Sequence, residues 1–243
     1  MDFDTAFFCI LAAGFITGFS KFSIGGMGLL ILPIIAIAYP GPEALGILIP
    51  MYIATDILAV KSYGRDASWP IVLRLLPLAL IGIGLGIWLL SSINPEQFTL
   101  LLGVMIVLIL ALGLWLDYRP SAVMRHPAAT QAMGLLSGFV TMTANAAGPL
   151  LSLYLMEQRL SKEAYVGTRA WAFMILNSAK VPLLIAAGFL NEEIALRSLA
   201  GLPGLLVGSL AGYWLLKKLN INQFKWMIRG MAAIAAVKML AFG

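Results

Sequence analysis

Eight apolar segments joined by loops of a few residues leave this chain one class of fold. They run roughly over 7–39, 44–62, 69–90, 98–116, 129–156, 164–189, 194–216 and 224–242. A helix that crosses a bilayer takes about 20 mostly apolar residues, and most of these segments meet that length with few charges inside. Of the 243 residues 61% are hydrophobic and 11% charged, whereas a soluble domain is roughly half apolar and a quarter charged. A water-facing globule is therefore excluded, and no loop is long enough to fold as a separate extramembrane domain. The start, Met1-Asp2-Phe3-Asp4, is acidic where a signal peptide is basic, so no cleavable signal is expected. The fold class expected is an all-α polytopic membrane protein.

The chain also repeats itself. Gly14, Gly18, Phe19 and Gly28 recur as Gly134, Gly138, Phe139 and Gly148, and Glu43-Ala44 recurs as Glu163-Ala164, all at one spacing of 120. Pro77, Gly82, Gly86 and Trp88 recur as Pro203, Gly208, Gly212 and Trp214, and Asn94, Gln97 and Phe98 as Asn220, Gln223 and Phe224, now at 126. Ordered identities across both halves predict two homologous transmembrane repeats, 1–125 and 126–243, within one integral membrane domain, as in many secondary transporters.

Lysine and arginine positions decide between parallel and inverted halves. With Lys21 and Lys180 set aside as intrasegment charges, 14 basic residues remain. If every segment crosses once they divide evenly between the two faces, against the tendency of basic residues to stay inside. If the long, glycine-rich fifth segment goes in and comes back, twelve lie inside and only Arg197 and Lys238 outside. The first segment, about 50 Å long as one straight helix against a core of about 30 Å, does the same by symmetry. The expectation is two inverted-topology halves, each a broken or folded-back first segment followed by three spanning helices, with the N-terminus outside.

The charges inside the segments point to chemistry. In the first segment Ser20, Lys21, Ser23, Gly25 and Gly26 precede Gly28 and Pro33. Glycines admit a ligand to the backbone, a helix starting within the membrane aims N–H groups at an anion, and a lysine at that depth needs a cavity or a partner. The matching stretch of the second half offers Thr141, Thr143 and Asn145, neutral donors in place of the lysine. Asp56 lies mid-way along the second segment, and Asn177 and Lys180 in the corresponding part of the sixth, where Pro182 is expected to break the helix. Substrate-binding roles are assigned to Ser20, Lys21, Ser23, Gly25, Gly26, Thr141, Thr143, Asn145, Asn177 and Lys180, and a coupling or gating role to Asp56. The competing reading has the glycines packing helices, the threonines bonding their own helices and Asp56 in an ion pair with Lys21 or Lys180. Arg169, five residues into its segment, reads first as snorkelling to the interface, with attraction of anions at the inner mouth as the alternative, and the tryptophans read as interfacial anchors. Gly82-Ile83-Gly84-Leu85-Gly86 suits a homodimer contact or internal packing equally.

Two intrasegment lysines against one aspartate leave a positive excess, which favours an anion. One cysteine (Cys9) and one histidine (His126) supply neither a disulfide framework nor a metal cluster. There are no paired catalytic carboxylates, no Ser-His-Asp set and no nucleotide loop. No cofactor, metal, nucleic-acid partner or enzymatic activity is expected; the partners are the lipid bilayer, a small anion and, through Asp56, a proton. Read from the residues alone, a carrier or channel for another small inorganic or carboxylate anion and a non-transporting membrane scaffold stay open beside a secondary transporter.

At these residues the sequence resembles the sulfite exporter TauE/SafE family, also described as organosulfur-anion permeases. The matching pieces are Gly18-Phe19-Ser20-Lys21, the glycines to Gly28, Pro33, Pro50 and Asp56. In the second half they are Gly138, Gly148-Pro149-Leu150, Tyr154-Leu155, Gly167-Thr168 and Asn177 through Pro182. The resemblance covers essentially the entire chain. It implies a multi-pass protein of the bacterial inner membrane that exports small sulfur-containing anions such as sulfite, sulfoacetate or related sulfonates. Ser23 and Met27 interrupt the family's denser glycine run, and Asn145 stands where a histidine is common. These departures fall in the expected site and bear on which anion it takes.

Overall fold

The computed structural model describes residues 3–23, 28–118 and 127–216. Every regular element among them is helical: α1 (Phe3–Phe22), α2 (Gly28–Ala38), α3 (Glu43–Tyr63), α4 (Trp69–Leu90), α5 (Pro95–Tyr118), α6 (Pro127–Ala144), α7 (Ala147–Met156), α8 (Lys162–Ala186), α9 (Glu192–Ser198) and α10 (Leu202–Leu216). Short 3-10 turns follow α3 (Gly64–Asp66) and join α9 to α10 (Leu199–Gly201). Five stretches among the described residues are long and apolar enough to cross a membrane: Thr5–Phe22, Glu43–Asp66, Trp69–Leu90, Pro95–Leu112 and Glu192–Trp214. α8 has the length as well, but it is the most polar of the long helices and packs centrally against α3, α4, α6 and α7. The eighth apolar segment and the boundary between the halves near 125 lie outside the described residues.

Polar residues start the helices where the segments begin. Asn94 accepts from the Gln97 amide at 2.8 Å while Gln97 Oε1 accepts from the Asn94 amide at 3.0 Å, a reciprocal cap with Pro95 in the first turn. Ser161 accepts from the Ala164 amide at 3.1 Å, and Asn191 from the Ile194 amide at 2.9 Å, each ahead of glutamate in the first turn. α8 ends at Ala186, followed by Gly188 at φ 77° in the left-handed region. Pro182 lies inside α8 and does not end it, contrary to the sequence reading: the helix continues for four residues beyond it. A neighbour-supported helix in a membrane tolerates the lost amide.

Both long glycine-rich segments are broken. α2 and α7, with 11 and 10 residues, reach only about 15 Å, half the hydrocarbon thickness, and pack back on α1 and α6 respectively. In the second half the break is a single left-handed residue, Asn145 at φ 50°, between the last residue of α6 and Ala146.

The most extensive helix contacts are α1 with α10 and α4 with α6, and glycine makes both. A Cβ on Gly14 or Gly18 would strike the Gly201 or Leu205 carbonyl, and one on Gly204, Gly208 or Gly212 the carbonyls of Leu11, Phe15 or Phe19. In the other pair Gly82 abuts Leu135, Gly86 abuts Met142, and Gly134 and Gly138 abut the carbonyls of Leu75 and Ala79. Small residues let membrane helices approach this closely. Gly82 and Gly86 therefore serve internal packing, while Gly84 faces open space. Positions 126 apart share their environment: Leu73 and Leu199, Leu80 and Leu206, Ile81 and Val207, and Trp88 and Trp214 are all exposed, as lipid-facing residues are. Replacing Gly138 or Gly208 by leucine is expected to destabilise the fold by about 1–3 kcal/mol through overpacking. The check is the thermal midpoint in detergent, where Gly84→Leu should match the parent.

Candidate functional site

Where the broken segments meet the central helices, polar groups collect around a cavity of about 50 Å³ lined by α1, α2, α3, α6, α7 and α8. That is room for a few waters or one small ion. α1 contributes Thr17, Ser20 and Lys21, one helical turn apart; α8 contributes Arg169, Phe173 and Asn177, at four-residue spacing on one face. Tyr52, Thr141 and Asn145 complete the polar wall, and Gly28 and Gly148 bring in the first turns of α2 and α7. The two half-helix starts are neighbours, since a Cβ on Gly28 would lie 3.5 Å from the Asn145 carbonyl oxygen. Both N-termini thus present the positive ends of their dipoles to the cavity.

Lys21 forms an ion pair with Asp56 Oδ1. Its ammonium also lies 4.1 Å from the centroid of the Phe173 ring and 5.8 Å from that of Tyr52, so aromatic faces hold it as well. Asp56 is fully buried, and Asn177 Nδ2 donates to its second oxygen at 2.6 Å. Lys180, also fully buried, donates to the Thr141 carbonyl at 2.9 Å, to Asn145 Oδ1, and to Asn177 Oδ1 at 3.4 Å. It stands one layer behind the cavity wall. Asp56 therefore pairs with Lys21 and reaches Lys180 only through the Asn177 amide.

Arg169 departs from the sequence reading. It does not snorkel: it is 4% exposed and donates to the carbonyl oxygens of Lys21 at 3.0 Å and Ser23 at 3.2 Å. The guanidinium meets the carbonyl-rich end of α1, which carries the negative end of a helix dipole, and forms part of the cavity wall. Three buried or half-buried cations, Lys21, Arg169 and Lys180, thus face a single buried carboxylate among the described residues. A low-dielectric pocket with that imbalance attracts an anion.

The cavity brings together Ser20, Lys21, Thr141, Asn145 and Asn177 of the expected site residues, with Asp56 directly behind Lys21. Ser23 is buried at the end of α1, with its carbonyl on Arg169. Thr143 donates to the Phe139 carbonyl of its own helix at 2.9 Å and is not part of the wall. Gly25 and Gly26 lie outside the described residues. Sequence reasoning passed over Thr17, Tyr52 and Phe173, and it ranked an anion role for Arg169 below snorkelling. The stripe Arg169, Phe173, Asn177, Lys180 at helical spacing was the available signal.

A family model described as sulfite exporter TauE/SafE matches residues 10–239. The chain belongs to the sulfite exporter TauE/SafE family. The resemblance read from the first and second glycine-rich segments is thereby established, and with it membership of a family of membrane transporters of sulfur-containing anions rather than of enzymes. Neither the curated proteins nor the solved structures compared with this TauE/SafE chain give a match.

Removing one partner of a buried ion pair strands the other charge. Lys21→Met is expected to lower stability by about 3 kcal/mol, and Lys21→Met with Asp56→Asn to recover most of the loss. Chemical denaturation in mixed micelles measures both.

Proposed function

We propose that the chain is a secondary transporter that exports small sulfur-containing anions, such as sulfite or sulfonates, across the bacterial inner membrane. It works by alternating access around one anion site near the midplane. The observation that carries this reading is the cavity in which Lys21 and Arg169 meet the N-terminal turns of α2 and α7. Within it Lys21 supplies charge, Arg169 holds the end of α1 and adds to the field, and Ser20, Thr141, Asn145 and Asn177 supply hydrogen bonds. Lys180 contributes charge from behind the wall, and Ser23 lies at the end of α1 with its carbonyl on Arg169; the binding roles of Gly25 and Gly26 fall outside the described residues.

Asp56 is the coupling carboxylate. It occupies Lys21 while the site is free and gives way, taking up a proton, when the substrate anion takes its place. The exchanged packing of α1 on α10 and α6 on α4 supports two related halves, 1–125 and 126–243, and the excess of lysine and arginine on one face supports their inversion with the N-terminus outside. Each first helix rests on the third apolar segment of the other half, a geometry that lets one half rock against the other about the central α3–α8 contact.

Proteoliposomes loaded with labelled sulfite test the proposal. The parent should release sulfite faster than protein-free vesicles and accelerate when unlabelled sulfite stands outside. Lys21→Ala should lose at least about tenfold in flux, the equivalent of one lost charge-assisted hydrogen bond. Asp56→Asn should retain exchange but lose its dependence on a pH gradient. Sulfite flux unchanged in Lys21→Ala contradicts the anion site, and an unaltered pH dependence in Asp56→Asn contradicts the proton role.

A further inference from the structure

Lys180 and its amide neighbours assign a donor to the cavity. An ammonium group donates and never accepts. The amides of Asn145 and Asn177 that face Lys180 must therefore turn their oxygens to it, and each is left with its NH₂ group directed away. Lys180 also donates to the Thr141 carbonyl, so its three N–H groups have three acceptors. One buried cation thus sets the direction of two amides.

The two amides then differ in what they meet. Asn177 Nδ2 donates to a carboxylate oxygen, Asp56 Oδ2, at 2.6 Å. Asn145 Nδ2, on a residue 7% exposed that lines the cavity, has no hydrogen-bond partner among the described residues. An unsatisfied buried donor is costly, and Asn145 is in addition held at φ 50° between α6 and α7, a conformation asparagine adopts more readily than most residues. The Asn177 arm is the precedent: polarised by the same lysine, the same group binds an anionic oxygen.

We infer that Asn145 is a specificity-determining donor to one oxygen of the substrate anion, and that Lys180 is a positioning residue, acting through the Asn145 amide and not by touching the substrate. This inference rests on the transport reading above and deepens it. Asn145 fixes the polarity of that part of the wall: it accepts an oxyanion and disfavours a ligand that presents a donor there.

The test is titration of the purified, detergent-solubilised protein with sulfite by calorimetry, with thermal midpoints recorded alongside. Asn145→Asp replaces the NH₂ by an oxygen of the same size and gives Lys180 a carboxylate partner, so the protein stays intact or is stabilised. Because the added charge by itself repels an anion, a loss of binding is assigned to the donor only when the uncharged Asn145→Leu shows it too. A packing role predicts that folded Asn145→Leu binds as the parent does. For Asn145→Asp the donor role predicts a folded protein whose affinity for sulfite falls by at least about tenfold. Asn145→Leu should lose a similar amount in the parent background but less than about threefold on top of Lys180→Met, because the amide is no longer oriented once the lysine is gone. Parent-like sulfite affinity in folded Asn145→Asp or Asn145→Leu overturns the donor, and equal losses from Asn145→Leu in both backgrounds overturn the positioning role of Lys180; either result leaves the transport proposal standing. A parent that binds none of sulfite, thiosulfate and sulfoacetate overturns the inference together with that proposal.

Discussion

An ammonium group and a carboxylate, neither tolerable alone within a bilayer, hold this protein's centre together. Lys21 on α1 and Asp56 on α3 pair at the point where α1 ends, and a charge at that depth persists only with a partner or a polar cavity. Here it has both. The pair ties the broken first segment to the central helices, Asn177 extends it to α8, and Lys180 extends it to the turn between α6 and α7. The chain of contacts thus spans both halves of the sequence. α2 and α7 stop short of crossing and begin at the cavity, which adds the positive ends of two helix dipoles to the cations there.

The positive balance at this centre is distributed unevenly over a repeated scaffold. The first half contributes Lys21 and Asp56, the second Arg169, Asn177, Lys180 and Asn145. Positions equivalent by the 120 spacing are not charged in the other half: Thr141 answers Lys21, and Ile49 answers Arg169. On the proposed repeat, the glycine contacts of the helix framework recur in both halves, while the charged residues of the site do not. An ion pair and an amide whose NH₂ group lacks a partner share the cavity wall, an arrangement suited to exchanging an internal anion for an external one.

Much of the framework was legible because it rests on length and on small residues. A 33-residue apolar segment (7–39) exceeds the bilayer, so a break had to occur, and the glycine identities at spacings of 120 and 126 marked the helix contacts, with Gly82 and Gly208 buried at matching crossings. Asp56 and Lys21 stood out because charge in an apolar run demands an explanation. Arg169 did not, since distance from the start of a segment reports depth and says nothing of which helix end lies across the fold. Lys180 resembled a ligand-binding lysine because burial alone does not distinguish the wall of a cavity from the layer behind it. Thr143 was ambiguous for a local reason: the hydroxyl of a helical threonine reaches its own preceding turn as readily as a ligand. Pro182 marked a helix end by rule, but the packing of α8 among its neighbours overrode the rule.

The central claim is that these cations are kept within the membrane to hold a small anion between Lys21, Arg169 and the starts of α2 and α7. Anomalous diffraction from crystals grown with selenite, the selenium analogue of sulfite, measures this most directly. The account predicts one selenium peak in the cavity, near Lys21 and within hydrogen-bond range of Asn145, with the Asp56 carboxylate displaced from the ammonium. Selenium found only at the protein surface, with Lys21 and Asp56 still paired, would contradict it.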